Sequence, residues 1–206
     1  MKLLLFSDLH SDFSTASKLA AMSKDADVVV GAGDFCVGRR GLAKIMGALA
    51  PIEKPSVLVP GNSESAEELQ EACRLWPSAF VLHGSRATIG GVDFFGIGGG
   101  IPVTPFGSWS YDFTEDEAAE LLRDCPAHGI LVSHSPAKGL LDRSSDGRHL
   151  GSRAVRETID LKKPLLVVCG HIHASSGRRM QLGATAVVNA GPDGMLYDYD
   201  EGERRQ

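Results

Sequence analysis

Seven side chains that can bind a metal ion follow apolar runs of the sequence, at points where strands are expected to end. An Asp-x-His pair follows the first run, Gly-Asp the second and Gly-Asn the third, whereas a later run ends in one histidine and another in a His-x-His pair. The seven residues are Asp8, His10, Asp34, Asn62, His134, His171 and His173. Because residues i and i+2 of an extended segment point the same way, both members of each pair can reach one centre.

These residue types predict a pair of divalent transition-metal ions. Imidazole and oxygen ligands without thiolates suit manganese, iron, nickel or zinc rather than calcium. Seven ligands are too many for one catalytic ion that keeps a position open for water. They suit two ions about 3.5–4 Å apart that share a carboxylate. Taken singly, an aspartate after a strand is often a helix N-cap and a lone histidine a surface group, so the prediction depends on all five strand ends together.

The elements that must position these ligands alternate along the chain. Apolar runs predict strands near residues 2–7, 27–32, 56–60, 79–83, 129–134, 164–170 and 185–191, and helical patterns lie near 14–24, 41–50, 64–75, 115–125 and 152–162. This alternation predicts an α/β sheet, to which a hairpin turning at Gly90-Gly91 and a last strand near 194–200 add antiparallel strands. Ligands of open α/β sheets bind beyond the carboxyl ends of the strands, where the seven residues lie.

Local signals support several of these boundaries. Thr114 and Glu117 form the pattern of a capping box, and Ser152 is a suitable N-cap for the last helix. Gly33, Gly61, Gly170 and Gly191 each follow a strand, where a small residue is expected to let the backbone turn sharply. No break in composition marks a second domain, so we expect a single domain over residues 1–206 with a charged tail from about 201.

Taken in sequence order, the five ligand motifs at the strand ends resemble those of the calcineurin-like metallophosphoesterases. The resemblance runs from residue 3 to about 193, and the stretch SHSPAKGLLDRSSDGRHLGSRAVRETID at 133–160 is similar to the Icc-related branch in particular. It implies a four-layer α/β/β/α sandwich of two packed mixed sheets. It also implies hydrolysis of a phosphate ester, a diester more than a monoester, by a hydroxide that bridges two metal ions.

The resemblance also implies a role for each ligand. One ion would be held by Asp8, His10 and His173, and the other by Asn62, His134 and His171. Asp34 would bridge the two ions. The resemblance thus makes Asp34 and Asn62 part of the catalytic centre, with manganese the first expectation and iron, nickel or zinc as alternatives.

The third motif departs from the family pattern, because Gly61-Asn62-Ser63-Glu64 stands where Gly-Asn-His-Asp or Gly-Asn-His-Glu is usual. The family's histidine commonly contacts the phosphate and protonates the leaving oxygen. A serine at position 63 can contact the phosphate but cannot act as that acid, and loss of a general acid typically costs ~10²–10⁴ in rate. Glu64 is then expected to begin the next helix, or alternatively to hydrogen-bond a ligand histidine.

Another residue could supply the proton. Our hypothesis is that Arg148 and His149, in the connection after His134, face the phosphate and that His149 partly replaces the missing acid. The alternative is that both are solvated loop residues, and His83 is a weaker candidate. Aromatic residues at 100–113 could stack on a base, although closing a small hydrophobic cluster is the favoured interpretation.

Composition excludes several other classes of protein. The 206 residues carry a net charge of −5 with no basic stripe, so a nucleic-acid partner or an anionic membrane surface is disfavoured. Four cysteines without a CxxC pattern favour a reduced, cytoplasmic setting. No apolar run approaches the ~20 residues that span a bilayer, and the N-terminal run is too short for a signal peptide.

The leading hypothesis is therefore a dinuclear metal-dependent phosphoesterase that acts on a small phosphate ester. The alternative is a metal-binding but catalytically weak binding or scaffold protein on the same fold, which the loss of the usual histidine at position 63 keeps open. A nuclease is less favoured because the chain is short and acidic. The sequence makes no prediction of the oligomeric state.

Overall fold

The computed structural model describes residues 1–200, and the predicted charged tail from 201 lies outside them. The strands are β1 Lys2–Phe6, β2 Val28–Gly31, β3 Ser56–Leu58, β4 Ala79–Val81, β5 Ser85–Ile89, β6 Val92–Ile97, β7 Ile130–Ser133, β8 Leu166–Cys169, β9 Arg179–Leu182, β10 Thr185–Asn189 and β11 Met195–Asp198. The helices are α1 Phe13–Met22, α2 Leu42–Leu49, α3 Ala66–Ala72, α4 Glu115–Leu122 and α5 Arg153–Lys162, with 3₁₀ turns at Ser23–Asp25 and His173–Ser175.

The strands form two mixed sheets. The first has the order β11-β1-β2-β3-β4, in which β1 to β4 are parallel and β11 is antiparallel. The second has the order β5-β6-β7-β8-β10-β9, with a parallel centre and antiparallel strands at both edges. Every parallel pair is joined by a crossover, as the alternation of strand and helix in the sequence predicts.

Side chains from alternate positions of each strand enter different hydrophobic cores. Leu3 and Leu5 of β1 lie in the core between the two sheets, whereas Leu4 and Phe6 lie in the core beneath α1, α2 and α3. A third core lies between the second sheet and helices α4 and α5. Three cores separate four layers, so the expected α/β/β/α sandwich of two packed mixed sheets is confirmed.

Most predicted element ends are confirmed, because their signals act locally. Thr114 and Glu117 form a capping box, and the Ser152 hydroxyl accepts a hydrogen bond from Val155 N at the start of α5. The hairpin turns at Gly90 and Gly91, which both have positive φ. Strand β9 was not predicted, because its side chains are mostly exposed and give no apolar run.

The carboxyl ends of five parallel strands point to one edge of the sandwich. Strands β1, β2 and β3 of the first sheet and β7 and β8 of the second all end there, which brings the candidate ligands from both sheets together. None of the helices within residues 1–200 combines the length and apolar character that crossing a lipid bilayer demands.

Candidate metal centre

The loops that leave these strands hold several candidate ligands in a backbone conformation that favours glycine. Asp8, His10, Asp34 and His171 have φ of 56°, 46°, 56° and 65°. This left-handed conformation costs a non-glycine residue of order 1–2 kcal/mol. Such strain persists only when the surrounding structure enforces it, and here it turns the side chains of the loops toward one centre.

Glycines next to the ligands leave space for other ligands. A Cβ on Gly61 would lie 2.0 Å from Asp34 Oδ1, and a Cβ on Gly170 would lie 2.6 Å from Asp8 Oδ2. Neither glycine has a positive φ, so the predicted sharp turn is not the reason for glycine at these two positions. Gly33 combines a φ of 90° with close approach to Gly61, and there both reasons hold.

A first group of possible ligands consists of Asp8, His10 and His173. One ligand atom from each lies within 4.8 Å of the other two. The Nε2 atoms of His10 and His173 are 3.1 Å apart, and His173 Nε2 lies 3.6 Å from Asp8 Oδ1. Ser7 donates a hydrogen bond to Asp8 Oδ2, whereas Oδ1 accepts one from the backbone N–H of His171 at 3.0 Å and faces His173.

A second group forms around the fully buried His134. Its Nδ1 lies 2.7 Å from the carbonyl oxygen of Ala32, so Nδ1 carries the proton and Nε2 is free to bind a metal. The Nε2 atom lies 3.3 Å from Asn62 Oδ1 and 3.5 Å from Asp34 Oδ1. The ring of His171 is 4.9 Å from that of His134, between centroids.

Asp34 lies between the two groups. Its Oδ2 is 3.8 Å from His10 Nε2 in the first group, whereas its Oδ1 is 3.5 Å from His134 Nε2 in the second. The backbone N–H of Ser63 donates to Oδ1 at 2.9 Å and fixes the orientation of the carboxylate. Two oxygens of one carboxylate thus face two sets of donors, which is the arrangement that a bridging ligand requires.

The protonation of two candidate ligands, Asp8 and His171, suits metal binding near neutral pH. Burial raises the pKa of Asp8, but His173, His134 and Ser7 outweigh it and lower this pKa to about 2. Burial, and then the charge of His134, lower the pKa of His171 to about 4. Asp8 is therefore ionised and His171 neutral, as metal ligands must be. The pKa of His173 is raised, chiefly by its interaction with Asp8, so a metal ion competes with a proton there. The same holds for His134, because burial lowers its pKa but the charges of Asp34 and Asp8 outweigh burial and raise it.

Asn62 is held by a contact that sequence reasoning missed. Its side-chain NH₂ donates to Ser110 Oγ at 3.1 Å, which directs Oδ1 toward His134. Ser110 in turn donates to Asp112 Oδ1 at 2.7 Å. Ser110 belongs to the long connection after β6 and carries no local signal of this role. An outer partner of this kind fixes which end of an amide faces the metal.

Glu64 plays a role that differs from both interpretations of its position. Helix α3 begins after Ser65, which is its N-cap, and Glu64 is completely buried. Its Oε1 accepts hydrogen bonds from Asp34 N at 2.8 Å and Gly61 N at 2.7 Å, and its two oxygens also accept weaker ones from Phe35 N and Cys36 N at 3.3 Å. These hydrogen bonds go neither to the helix start nor to a ligand histidine, but join the loops that carry Asp34 and Asn62.

Burial raises the proton affinity of the Glu64 carboxyl group. Burial, and then the neighbouring charge of Asp34, raise the pKa of Glu64 to about 7, although the N–H groups of Gly61 and Cys36 oppose the change. All four N–H groups need an acceptor, because a buried N–H without a partner costs about 1–3 kcal/mol. A side chain that accepts at this point is therefore required for the geometry of the second and third loops.

The remaining predicted site residues lie outside the two ligand groups. Ser63 is buried and lines the cavity above them. Arg148 and His149 are not among the residues that line it. Arg148 Nε pairs with Asp146 at 2.6 Å, and its predicted contact with the phosphate has no support in this geometry.

His149 forms a pair with a buried aspartate. Its Nδ1 lies 2.6 Å from Oδ1 of Asp142, and Oδ2 of the same carboxylate accepts from the backbone N–H groups of Gly139 and Gly151. This bond leaves His149 Nε2 free on a half-exposed side chain, and the next residue, Leu150, does line the cavity. The role of His149 as an acid stays a prediction. His83 accepts from Gly98 N and does not line the cavity.

The two ligand groups open into one cavity of about 670 Å³. Its floor includes His10, Asp34, Asn62 and both histidines of the His-x-His pair. Its walls come from the connection after β6, from residues 144, 145 and 150, and from residues 37 and 38. A volume of this size suits a small molecule.

The contacts of Glu64 predict a specific effect on metal binding. Glu64→Gln keeps the shape of the side chain and one oxygen for the N–H groups of Asp34 and Gly61, but it places an NH₂ group against Cys36 N, so the loop that carries Asp34 should shift. We expect Mn²⁺ affinity to fall by about 10–100-fold, as for other outer partners of metal ligands. Isothermal titration calorimetry measures this affinity. The control is Glu71→Gln, which changes an exposed carboxylate paired with Arg74. Equal affinities of wild type and Glu64→Gln would show that the contacts are unimportant.

Comparison with known proteins identifies the family to which the chain belongs. The family described as Calcineurin-like phosphoesterase matches residues 1–175. No curated protein matches the chain. The fold is similar to that of TT1561 of Thermus thermophilus, with a TM-score of 0.75 and 22% identity over 93% of this chain and 90% of that chain.

Two other solved structures share the fold at lower similarity. A dimetal phosphatase from Danio rerio has a TM-score of 0.62 and 13% identity, over 93% of this chain and 88% of that one. An archaeal phosphodiesterase has a TM-score of 0.55 and 15% identity, over 93% of this chain and 84% of that one. At these identities the likeness concerns the fold, whereas the family match covers most of the sequence. The chain belongs to the calcineurin-like phosphoesterase family.

Proposed function

We propose that this protein is a dinuclear metal-dependent phosphoesterase that hydrolyses a small phosphodiester. The observation that carries the proposal is the position of Asp34 beneath the cavity. Its two oxygens face histidine nitrogens from different sheets, one from His10 and one from His134. Asp8, His10 and His173 would hold one ion, whereas Asn62, His134 and His171 would hold the other. Their donor atoms and their convergence support this assignment.

Two divalent ions supply an activated water and neutralise charge on the phosphoryl oxygens when they are bound. The chain's own residues set the conditions for that chemistry. The bond from His134 Nδ1 to Ala32 fixes the tautomer of this ligand, and Ser110 fixes the orientation of Asn62. The mixture of imidazole, carboxylate and amide ligands supports manganese as the metal, with iron, nickel or zinc as alternatives.

The charges of the cavity support a diester. Among residues 1–200, no lysine or arginine side chain lines it. Sites for highly charged phosphates usually contain such cations, and arginine in particular binds phosphate through two parallel hydrogen bonds. A diester carries one negative charge and needs less compensation than a monoester dianion.

A catalytically weak binding or scaffold protein is the second candidate, because one observation favours it. Ser63 occupies the cavity wall where the family's histidine is usual, and no lysine, arginine or further histidine beyond the ligands lines the cavity within residues 1–200. Such a protein would bind metal ions and phosphate esters but release few products.

Hydrolysis of bis-p-nitrophenyl phosphate with Mn²⁺ distinguishes the two candidates. Its leaving group needs little protonation, so the lack of a general acid at position 63 should not prevent turnover by a working metal centre. We expect turnover by wild type and a loss in kcat/KM for Asp34→Asn that exceeds the ~100-fold typical of losing an outer partner. Asp116→Asn, which changes an exposed carboxylate on α4, is the matched control. Metal binding without turnover by wild type would favour the scaffold protein.

Leaving-group dependence tests which residue donates the proton. We expect wild type to hydrolyse an alkyl diester far more slowly than the nitrophenyl diester, and Ser63→His to speed the alkyl diester by about 10²-fold or more, the usual contribution of a general acid. The rate with the nitrophenyl diester is the internal control. If the Asp142–His149 pair supplies the acid, His149→Ala slows the alkyl diester selectively. An unchanged alkyl rate in His149→Ala would remove His149 from the mechanism.

A further inference from the structure

The aromatic side chains of residues 100–113 divide into two clusters with different surroundings. Tyr111 and Phe113 pack against each other and against His83, with ring centroids 4.8–5.7 Å apart. This is the small hydrophobic cluster that the sequence favours. Phe106 and Trp109 instead stack on each other, with centroids 5.8 Å apart and planes within 17°.

The Phe106–Trp109 pair faces the cavity of the metal centre. Phe106 is 51% exposed and Trp109 is 41% exposed, and both line the cavity. Two other exposed apolar side chains, Val37 and Leu150, line it as well. Scattered exposed apolar residues are normal on a protein surface, but several that line one cavity indicate a surface for binding.

The loop that carries the pair is fixed to the metal centre. Trp109 directly precedes Ser110, whose Oγ accepts a hydrogen bond from Asn62 Nδ2 at 3.1 Å. Tyr111 N donates to the carbonyl oxygen of Asn62 at 2.9 Å. The aromatic pair and a candidate ligand of the second ion are therefore held in one hydrogen-bonded unit.

Hydrogen bonds and close packing attach both ends of this loop to the surrounding structure. Asp112 Oδ2 accepts hydrogen bonds from the backbone N–H and the hydroxyl of Thr104, at 2.8 and 2.6 Å. A Cβ on Gly99 would lie 2.7 Å from the ring of Phe113, and one on Gly100 would lie 2.3 Å from Asp112 Oδ1. Attachment at both ends limits the positions open to the aromatic pair, which would reduce the entropy lost on binding.

We propose that Phe106 and Trp109 bind a planar aromatic group on the substrate, so that the protein selects phosphodiesters that carry a nucleobase or an aryl ring. This proposal rests on the function proposed above, because the metal centre would hold the phosphate. Aromatic rings offer a planar group a stacking surface that an alkyl group uses poorly. The absence of lysine and arginine from the cavity lining within residues 1–200 favours a neutral group over a second phosphate.

Binding of three phosphonate monoesters to the Mn²⁺-loaded protein tests the proposal. The compounds are the monomethyl ester of phenylphosphonate, thymidine 5′-methylphosphonate and the monomethyl ester of methylphosphonate. Each carries one negative charge and a phosphorus–carbon bond, and they differ in the presence and kind of ring. We expect calorimetry to give a Kd about tenfold or more lower for at least one aromatic compound than for the methyl compound, the effect of one stacked ring. The phenyl and thymidine compounds distinguish an aryl ring from a nucleobase.

Fluorescence gives a second readout. The chain has two tryptophans. Trp76 is buried and its indole N–H donates to Ile52, so the exposed Trp109 should account for any quenching on stacking. We expect the preferred aromatic compound, but not the methyl compound, to quench the emission.

Variants separate stacking from other effects. Trp109→Ala and Phe106→Ala should each remove the preference while the Kd of the methyl compound stays within about twofold. Trp109→Phe should keep the preference but lose the quenching. The matched control is Phe80→Ala, which removes an exposed aromatic ring of β4 that does not line the cavity.

Two results would overturn the proposal. One is equal Kd values for all three compounds in wild type, and the other is a preference that survives in both Trp109→Ala and Phe106→Ala. Hydrolysis of bis-p-nitrophenyl phosphate by the same sample separates this failure from that of the proposed function. Turnover without an aromatic preference refutes the stacking surface alone, whereas an aromatic preference without turnover refutes the phosphoesterase alone.

Discussion

The carboxylate of Asp34 has to lie between two candidate ligand groups, each of which takes residues from both sheets, and much of the structure follows from this constraint. The N–H of Ser63 fixes Oδ1, Glu64 accepts from the backbone N–H of Asp34, and Gly61 leaves the space that the carboxylate occupies. The loop after β3 thus supports a side chain from the loop after β2. A ligand that bridges two ions needs this degree of positioning, because small displacements alter both coordination shells.

Packing gives these loops a rigid base. Leu4 and Phe6 of β1 enter the core beneath the first helical layer while Leu3 and Leu5 enter the core between the sheets, so the strand is held on both faces. The same holds for β2, β3, β7 and β8, the other strands that end at the candidate metal centre. Buried strands absorb little motion, and the left-handed residues at their ends can therefore be kept in a strained conformation that directs candidate ligands toward one centre.

The strand ends could be predicted from sequence because apolar runs and the polar residues after them are local signals. Three features could not be predicted, since each depends on contacts between distant segments. The position of Glu64 favours a helix start, but its neighbour Ser65 is the N-cap and its carboxylate turns inward to the loop of Asp34. Ser110 lies 48 positions from Asn62, and only the fold reveals the hydrogen bond between them. No local signal divides the aromatic residues of the connection after β6, although the fold separates Phe106 and Trp109 from the others.

The most direct test of a bridging Asp34 is the metal content and electron paramagnetic resonance spectrum of the wild-type protein loaded with Mn²⁺. We expect two ions per chain and the spectrum of an exchange-coupled pair, because both oxygens of Asp34 would serve neighbouring ions. One ion per chain, or two ions with the spectrum of isolated Mn²⁺, would contradict the dinuclear centre.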